Sequence, residues 1–283
     1  MTPGELTLPV TLAVLGAGFL HATWNALIKS AAGDPLLDTA LIVAGSCVVA
    51  ALLLPFVPQP SRAAWPFMVL SAIIHFGYYI TLSGAYQRGD LSFAYPLMRG
   101  VAPLITTVLG VVFLGEHPTA TMLLGIALIS IGILVIAWYA GGGHTAASAA
   151  WALANAAIIA VYTLVDGAGA RASGSAAAYV TWLMVFEAVP YLGWIVWIRG
   201  RPAVDYLRLR WRRGLAGGAA SLAAYGIALW AMTRAPVAVV AALREVSVIF
   251  AAAIGALVLK EGFGWKRMAG AATVVAGVAA LRL

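Results

Sequence analysis

Residues 97–116 read LMRGVAPLITTVLGVVFLGE, and residues 242–261 read ALREVSVIFAAAIGALVLKE. A shift of 145 residues superimposes the two stretches, and the identical positions include Arg99 with Arg244, Val101 with Val246, Gly110 with Gly255 and Glu116 with Glu261. Only 10% of the chain is charged, so arginine and glutamate matches at one spacing are hard to ascribe to chance. The two stretches therefore indicate an internal repeat.

The composition around these stretches is typical of a membrane protein. Hydrophobic residues make up 63% of the 283 residues, and the mean hydropathy is +0.97. Soluble domains carry about 25% charged residues, and a soluble fold could not bury this much apolar surface. The composition predicts that lipid is the solvent for most of the chain.

Apolar runs of about 20 residues, the length that crosses a bilayer as a helix, predict ten transmembrane spans. Backbone groups in lipid must bond within their own span, so each run is predicted to be helical and the fold class is all-α integral membrane. The approximate boundaries are residues 8–30, 36–56, 64–87, 91–115, 119–139, 149–170, 176–198, 214–233, 237–259 and 264–282.

The repeat extends to neighbouring spans. The same shift matches Gly125 with Gly270, Ala127 with Ala272 and Gly132 with Gly277, and dropping one residue in a short turn matches Arg88 with Arg234. The repeat thus relates spans 3–5 to spans 8–10 and, by extension, the first five spans to the last five. An odd number of spans per half requires two inverted five-helix repeats, predicted as residues 1–143 and 144–283 of one membrane domain. Many secondary transporters share this architecture.

Both halves also carry an acidic signal before a glycine-rich last helix, Leu114-Gly115-Glu116 and Lys260-Glu261-Gly262. With the ten spans and two repeats, these features resemble the drug/metabolite transporter superfamily and, within it, the EamA family. The aromatic-rich interior is similar to that of the family's amino-acid exporters. The resemblance covers nearly the whole chain, and it implies a metabolite exporter with a central cavity between the halves.

Charged residues inside spans are the first candidates for a binding site, because each costs about 2.5–3.5 kcal/mol at the bilayer centre. Arg99 in span 4 and the pair Arg244 and Glu245 in span 9 are the strongest candidates, and the repeat places the two arginines in equivalent positions. The alternative is that each arginine pairs with a carboxylate and only joins helices. Glu187 and Asp166 are possible counter-ions.

Aromatic and histidine side chains form stripes at helical spacing. His75, Tyr78 and Tyr79 share a face of span 3, His21 and Trp24 share a face of span 1, and Tyr95 precedes Arg99 by one turn. The other predicted substrate-binding residues are Tyr162, Trp182 and Glu187. Such stripes suit an amphiphilic solute, because rings stack on its apolar part and arginine binds a carboxylate. The alternative is that these rings are packing residues or interfacial anchors.

Several other functions lack their sequence signals. The chain has no ATP-binding loop and no zinc-protease or serine-hydrolase motif, so we predict neither an enzyme nor a cofactor. One cysteine and four histidines make a metal site implausible. The net charge of +7 comes from basic residues in short loops, which is typical of membrane topology and does not indicate nucleic-acid binding.

Basic residues also predict an orientation in the plasma (inner) membrane. One face carries Arg62, Arg171, Arg234 and Arg282, and the other carries eleven basic residues: Lys29, Arg88, Arg199, Arg201, Arg208, Arg210, Arg212, Arg213, Lys260, Lys266 and Arg267. The positive-inside rule places the second face in the cytoplasm and both termini outside, whereas analogy with the superfamily favours the reverse. A monomer is sufficient for this architecture, and a dimer stays open.

The sequence therefore favours a secondary transporter that exports amino acids, with aromatic or hydrophobic ones preferred. Arg99 or Arg244 would bind the carboxylate, and Glu245 or Glu187 would meet the amine. A proton is one candidate for the coupling ion, because either His21 or His75 could titrate near neutral pH. The alternatives are a transporter of cationic drugs, sugars or nucleotide-sugars, and an intramembrane enzyme that acts on a lipid-linked substrate.

Overall fold

The computed structural model describes residues 6–29, 34–88, 91–139, 145–258 and 264–282. Within these ranges the chain is all helical and contains no strand, which confirms the predicted class. The helices of the first half are α1 (Leu8–Lys29), α2 (Pro35–Leu53), α3 (Trp65–Arg88), α4 (Leu91–Leu114) and α5 (Ala120–Trp138). Those of the second half are α6 (Ala146–Ala172), α7 (Ala176–Arg199), α8 (Arg201–Leu209), α9 (Trp211–Met232), α10 (Val237–Arg244), α11 (Ser247–Val258) and α12 (Trp265–Ala280).

Seven helical segments of the described chain are long and apolar enough to cross a bilayer, and Leu8–Trp24 is a shorter apolar helix. The seven are Pro35–Phe56, Arg62–Arg88, Phe93–Leu114, Ala120–Trp138, Ala146–Ala172, Ala176–Arg199 and Trp211–Met232. Seven of the ten predicted spans are therefore long and apolar enough to cross a bilayer by this measure of length and hydropathy. The chain is a multi-pass membrane protein.

Four helices begin at a side chain that accepts a hydrogen bond from the first turn. Asp34 accepts from the Leu36 amide, and Thr119, Thr145 and Ser175 do the same for α5, α6 and α7. A capping oxygen satisfies an amide that has no partner inside the helix. These short polar residues therefore explain where the apolar runs turn into helices.

The predicted ninth span, 237–259, is not one continuous helix. Turns at Glu245 and Val246 separate α10 from α11, and the amides there bond to carbonyl oxygens three residues earlier, at 3.0 Å for Glu245 and 3.3 Å for Val246. All eight residues of α10 are buried, so the interrupted backbone is surrounded by protein, the setting in which membrane proteins tolerate irregular helices. The break places Glu245 at the end of a half-helix.

Glycines matched by the repeat bring α5 and α12 into close contact. A side chain at Gly132 would meet the Val274 amide nitrogen at 2.9 Å, and one at Gly270 would meet the Gly132 carbonyl oxygen at 2.7 Å. A side chain added at Gly125 would lie 2.8 Å from the Gly277 carbonyl oxygen, and one added at Gly277 would lie 2.8 Å from the Gly125 carbonyl oxygen. Because Gly132 faces Gly270 while Gly125 faces Gly277, the two helices run antiparallel.

Other helix pairs also join the two halves. Gly214 and Gly218 of α9 pack against α2, where an added side chain at Gly218 would lie 2.8 Å from the Gly45 Cα. In addition, α1 contacts α9 and α11, α3 contacts α6 and α7, and α4 contacts α6 and α10. With these contacts, the midsections of α1, α3, α4, α6 and α9 surround a common centre.

Candidate functional site

A cavity of about 290 Å³ lies at this centre, lined by residues of α1, α2, α3, α4, α6, α7, α9 and α10. Ten predicted binding residues are on its wall: His21, Trp24, His75, Tyr78, Tyr79, Tyr95, Arg99, Tyr162, Glu187 and Arg244. Trp182 and Glu245 are not among the lining residues. Both halves of the chain therefore contribute to one polar, ring-lined space.

Arg99 is paired with a carboxylate from the other half. Its Nε lies 2.5 Å from the Glu245 Oε2, and both side chains are about 4% exposed. The Glu245 carboxylate reaches Arg99 from the break between α10 and α11. The Arg99 charge is thus largely compensated within the protein.

Arg244 is in a different situation, although the repeat relates it to Arg99. Its guanidinium lies 5.2 Å from the centre of the Tyr225 ring, and within the described residues it makes no ion pair. It is buried at the end of α10 and lines the cavity. Arg244 is therefore a cationic group of the cavity wall that no carboxylate of the described chain pairs with.

The aromatic part of the wall is a cluster of five rings: His75, Tyr78, Tyr79, Tyr162 and Tyr225. The His75 ring lies 4.3 Å from Tyr162 and 6.1 Å from Tyr225, and the Tyr78 ring lies 5.5 Å from Tyr162. Most of these contacts are edge-to-face or tilted, as is preferred for aromatic pairs. The cluster presents ring faces and edges beside Arg244.

Glu187 lies at the far side of this ring cluster. The Tyr79 hydroxyl donates a 2.8 Å hydrogen bond to its Oε1, and its Oε2 is 3.5 Å from His75 Nδ1. The buried Oε2 has no hydrogen-bond partner in the described chain, and His75 Nδ1 also lies 3.0 Å from the Ser71 carbonyl. Glu187 therefore places a buried carboxylate oxygen without a hydrogen-bond partner among the described residues at the cavity wall.

Asp166, the other predicted counter-ion, is fully buried behind the wall. It accepts hydrogen bonds from the hydroxyls of Tyr179, at 2.9 Å, and of Tyr225. Tyr225 is thus held by Asp166 at one end while its ring lies beneath Arg244. Asp166 positions the wall and does not itself line the cavity.

The remaining predicted residues have mixed placements. His21 and Trp24 meet edge to face, with ring centres 5.1 Å apart, and Tyr95 lies 5.8 Å from the Arg99 guanidinium. Trp182 packs against Trp65 and Phe186 instead, with ring centres 5.8 and 6.3 Å away. Its ring contacts are packing contacts, the alternative that the sequence left open.

Asp38 and Tyr86 are two of the lining residues that were absent from the predicted set. Asp38 lies in the first turn of α2, and the Tyr206 hydroxyl of α8 donates to its Oδ1 at 2.5 Å. Burial and this hydrogen bond raise the pKa of Tyr206 to about 12. Tyr86, near the end of α3, is the second. The sequence did contain a signal for Asp38, because a carboxylate at the third residue of the predicted span 36–56 is unusual in an apolar helix.

The two ends of the cavity differ. It extends to Trp24, Pro35 and Tyr86, at the face where α1 and α3 end and α2 begins. At the opposite face, Glu116 accepts from the Val237 amide at 2.7 Å and from Arg171 at 3.0 Å. This network joins the end of α4 to the start of α10. The predicted repeat counterpart, Glu261, lies outside the described residues.

Comparisons with known proteins agree with this architecture. The EamA-like transporter family matches residues 8–138 and 146–283, once in each half. A solved structure described only as "Crystal structure of protein" has a TM-score of 0.74 and 21% identity, over 96% of each chain. This likeness shows the fold alone. A comparison with curated proteins finds no match.

Proposed function

The chain belongs to the EamA-like transporter family, and from this premise we propose that it exports amino acids across the plasma (inner) membrane by alternating access. Ten spans in two inverted five-helix halves, residues 1–143 and 144–283, would rock around the central cavity. Families of this superfamily transport metabolites and are not enzymes, in agreement with the missing catalytic motifs.

Reciprocal contacts between the halves support the inverted repeat. The shift that matches Gly125 with Gly270 and Gly132 with Gly277 also exchanges the two observed contacts, Gly125 with Gly277 and Gly132 with Gly270. A twofold relation between antiparallel halves produces this exchange. Tyr79 and Tyr225, which the repeat relates at a spacing of 146, each donate a hydroxyl to a buried carboxylate of the second half.

The single observation that carries the substrate proposal is Arg244, a buried arginine on the cavity wall with no ion-pair partner in the described chain. A guanidinium binds a carboxylate through two parallel hydrogen bonds, so the solute carries an anionic group. The five-ring cluster suits an aromatic or hydrophobic side chain. With Glu245 occupied by Arg99, Glu187 is the carboxylate that would receive the amine.

A transport assay tests this proposal. The purified protein, reconstituted in liposomes, is expected to take up labelled tryptophan and methionine more rapidly than protein-free liposomes, and to take up a labelled sugar phosphate poorly. Saturable uptake of an amino acid would support the proposal. If no amino acid is taken up and the sugar phosphate is, the substrate class is wrong.

A cationic solute is the second candidate, because Glu187 has no arginine partner within the described residues. A buried carboxylate of this kind can bind an ammonium group on a hydrophobic compound. Uptake of a lipophilic cation without amino-acid uptake would favour this alternative.

We propose that transport is coupled to protons. His75 and Glu187 are 3.5 Å apart at the cavity wall, and buried histidine and carboxylate groups form proton relays in transporters. A pH gradient is then expected to drive tryptophan accumulation in liposomes. Accumulation that does not respond to the gradient would contradict proton coupling and leave exchange of amino acids unaffected.

A further inference from the structure

We propose that the surface of α8 and the start of α9 binds the headgroup of an anionic phospholipid, and that Tyr206 connects this surface to the cavity. The α8 surface is defined by six exposed side chains: Arg201, Arg208, Leu209, Trp211, Arg212 and Arg213. It lies beside the cavity mouth, the end of the cavity at Pro35, Asp38 and Thr39. Lipid binding stands without the transport function, whereas the effect on the mouth rests on the proposed function.

The charge of the α8 surface fits an anionic headgroup. Its four arginines are exposed and make no ion pair among the described residues, while Asp205 is the acidic residue between them. Arginine binds phosphate oxygens in a bidentate manner. Each basic residue near an anionic membrane surface contributes about 1 kcal/mol, or about fivefold in binding. Four such residues are sufficient for a clear preference over a zwitterionic lipid.

Exposed apolar side chains between the arginines indicate a lipid and not a dissolved anion. Leu209 is 81% exposed and Trp211 is 54% exposed, and Trp197 at the end of α7 is 82% exposed. Tryptophan and leucine with arginine are typical of segments that lie at the boundary between headgroups and acyl chains. A free phosphate ion makes no apolar contacts, so it would not account for this part of the surface.

The opposite side of α8 faces the protein. Ala203 is fully buried, and α8 packs against α2, α7 and α9. Here Tyr206 donates its hydroxyl to Asp38, while the Arg210 guanidinium lies 4.0 Å from the centre of the Tyr206 ring. Because Asp38 lines the cavity, this hydrogen bond links the protein-facing side of α8 directly to the cavity mouth.

A second contact ties the same region to the start of α2. Arg199 at the end of α7 donates to Asp34 at 2.9 Å, and Asp34 caps α2. The first residues of α2 are thus held by Arg199 and Tyr206 on either side of Gly200. A lipid that fixes α8 at the membrane surface therefore holds the mouth in the arrangement described here.

Native mass spectrometry of the full chain tests the lipid site. The probes are phosphatidylglycerol and phosphatidylcholine in competition, and the variant is R208Q/R212Q/R213Q. The matched control is R62Q/R234Q/R282Q, which removes the same charge from the opposite face. We expect at least a tenfold loss of the phosphatidylglycerol preference in the first variant and little change in the control. Equal effects of the two variants, or displacement of the lipid by inorganic phosphate, would overturn the site.

The connection to the mouth is tested with Tyr206→Phe, which removes only the hydroxyl. The variant is expected to keep the phosphatidylglycerol preference, while tryptophan uptake in liposomes loses its dependence on the phosphatidylglycerol fraction. A second measurement needs no substrate: the rate at which a thiol reagent labels Thr39→Cys in a Cys47→Ser background. This rate should depend on the phosphatidylglycerol fraction when Tyr206 is present and should not depend on it after Tyr206→Phe. If the labelling rate depends on the lipid equally in both, the connection is wrong even where no solute is transported.

Discussion

Arg99 and Arg244 occupy equivalent positions of the two repeats but have different partners. Both line the cavity, but Arg99 forms a buried ion pair with Glu245, whereas Arg244 lies over Tyr225 and makes no ion pair within the described residues. Removing one member of a buried pair leaves an uncompensated charge, while removing Arg244, which has no ion-pair partner within the described residues, does not. We therefore expect replacement by alanine to affect mainly the stability at Arg99 and mainly the transport at Arg244.

Arg99→Ala is expected to destabilise the protein by about 3–5 kcal/mol, because Glu245 is left buried and unpaired. The measurement is the free energy of unfolding, or the melting temperature, of the purified protein. The double variant Arg99→Leu/Glu245→Leu removes both charges and should recover most of the loss. A single variant as stable as the parent would show that the pair has no structural role.

Arg244→Ala is expected to abolish uptake of a carboxylate-bearing solute with a small loss of stability, about 0.5–2 kcal/mol for the cation–π contact. The matched control is Arg234→Ala, since Arg234 lies 4.4 Å from the Trp230 ring but is exposed outside the cavity. Unchanged tryptophan uptake in Arg244→Ala would remove this residue from the binding site.

Single residues were predictable in identity but not in pairing. Mid-span charge identified Arg99, Arg244 and Glu187 because charge is costly in lipid. Adjacent residues on a helix point about 100° apart, so the sequence could not decide whether Glu245 serves Arg99 or a solute. The contact of Asp38 with Tyr206 could not be predicted either, because the two residues are 168 positions apart in the chain.

At the scale of helices, the antiparallel contact of α5 with α12 depends on residues without side chains. Gly132→Val places methyl groups against the backbone of α12, and overpacking of this kind costs about 1–3 kcal/mol. A lower melting temperature is the expected result. Gly193→Val on α7 is the control, because no atom of the described residues lies within 4 Å of a side chain added there. Equal stability of the two variants would contradict the close contact.

Helix positions followed from the sequence far better than helix continuity. Apolar length predicted the long helices, and capping residues such as Asp34 and Ser175 marked where they begin. The break between α10 and α11 contains no proline or glycine, and it coincides with the ion pair between Glu245 and Arg99. Because Arg99 belongs to the other half of the chain, the local sequence around Glu245 could not predict this arrangement.

At the scale of the whole molecule, the basic residues and the cavity point to the same membrane face. The cavity mouth lies at the face that carries the cluster from Arg199 to Arg213. The positive-inside rule places this face in the cytoplasm, the side from which an exporter takes up its solute. We therefore predict an inward-open cavity with both termini outside.

Reporter fusions test this orientation. Alkaline phosphatase fused after Arg282 is expected to be active, because it would lie outside, and green fluorescent protein fused there should stay dark. A reporter inserted between Arg199 and Arg213 should behave in the opposite way. A fluorescent C-terminal fusion would reverse the orientation and make the described cavity face outwards.

Composition and spacing predicted the membrane class and the repeat, and the resemblance to the EamA family is confirmed by the match in both halves. The central cavity was implied by the resemblance, but its shape could not be predicted, because it depends on how far the helices are held apart. The close glycine contacts of α5 with α12 and of α2 with α9 set these distances together with the ring cluster.

The central claim is that the cavity binds an amino acid through an arginine on one side and a carboxylate on the other. The most direct measurement is the exchange of labelled tryptophan in proteoliposomes against unlabelled tryptophan, tryptamine and indole-3-propionate. We predict rapid exchange with tryptophan and weak exchange with tryptamine, which lacks the carboxylate that Arg244 binds. Indole-3-propionate, which lacks the amine, should also be a weak partner. Exchange with tryptamine as fast as with tryptophan would contradict the claim.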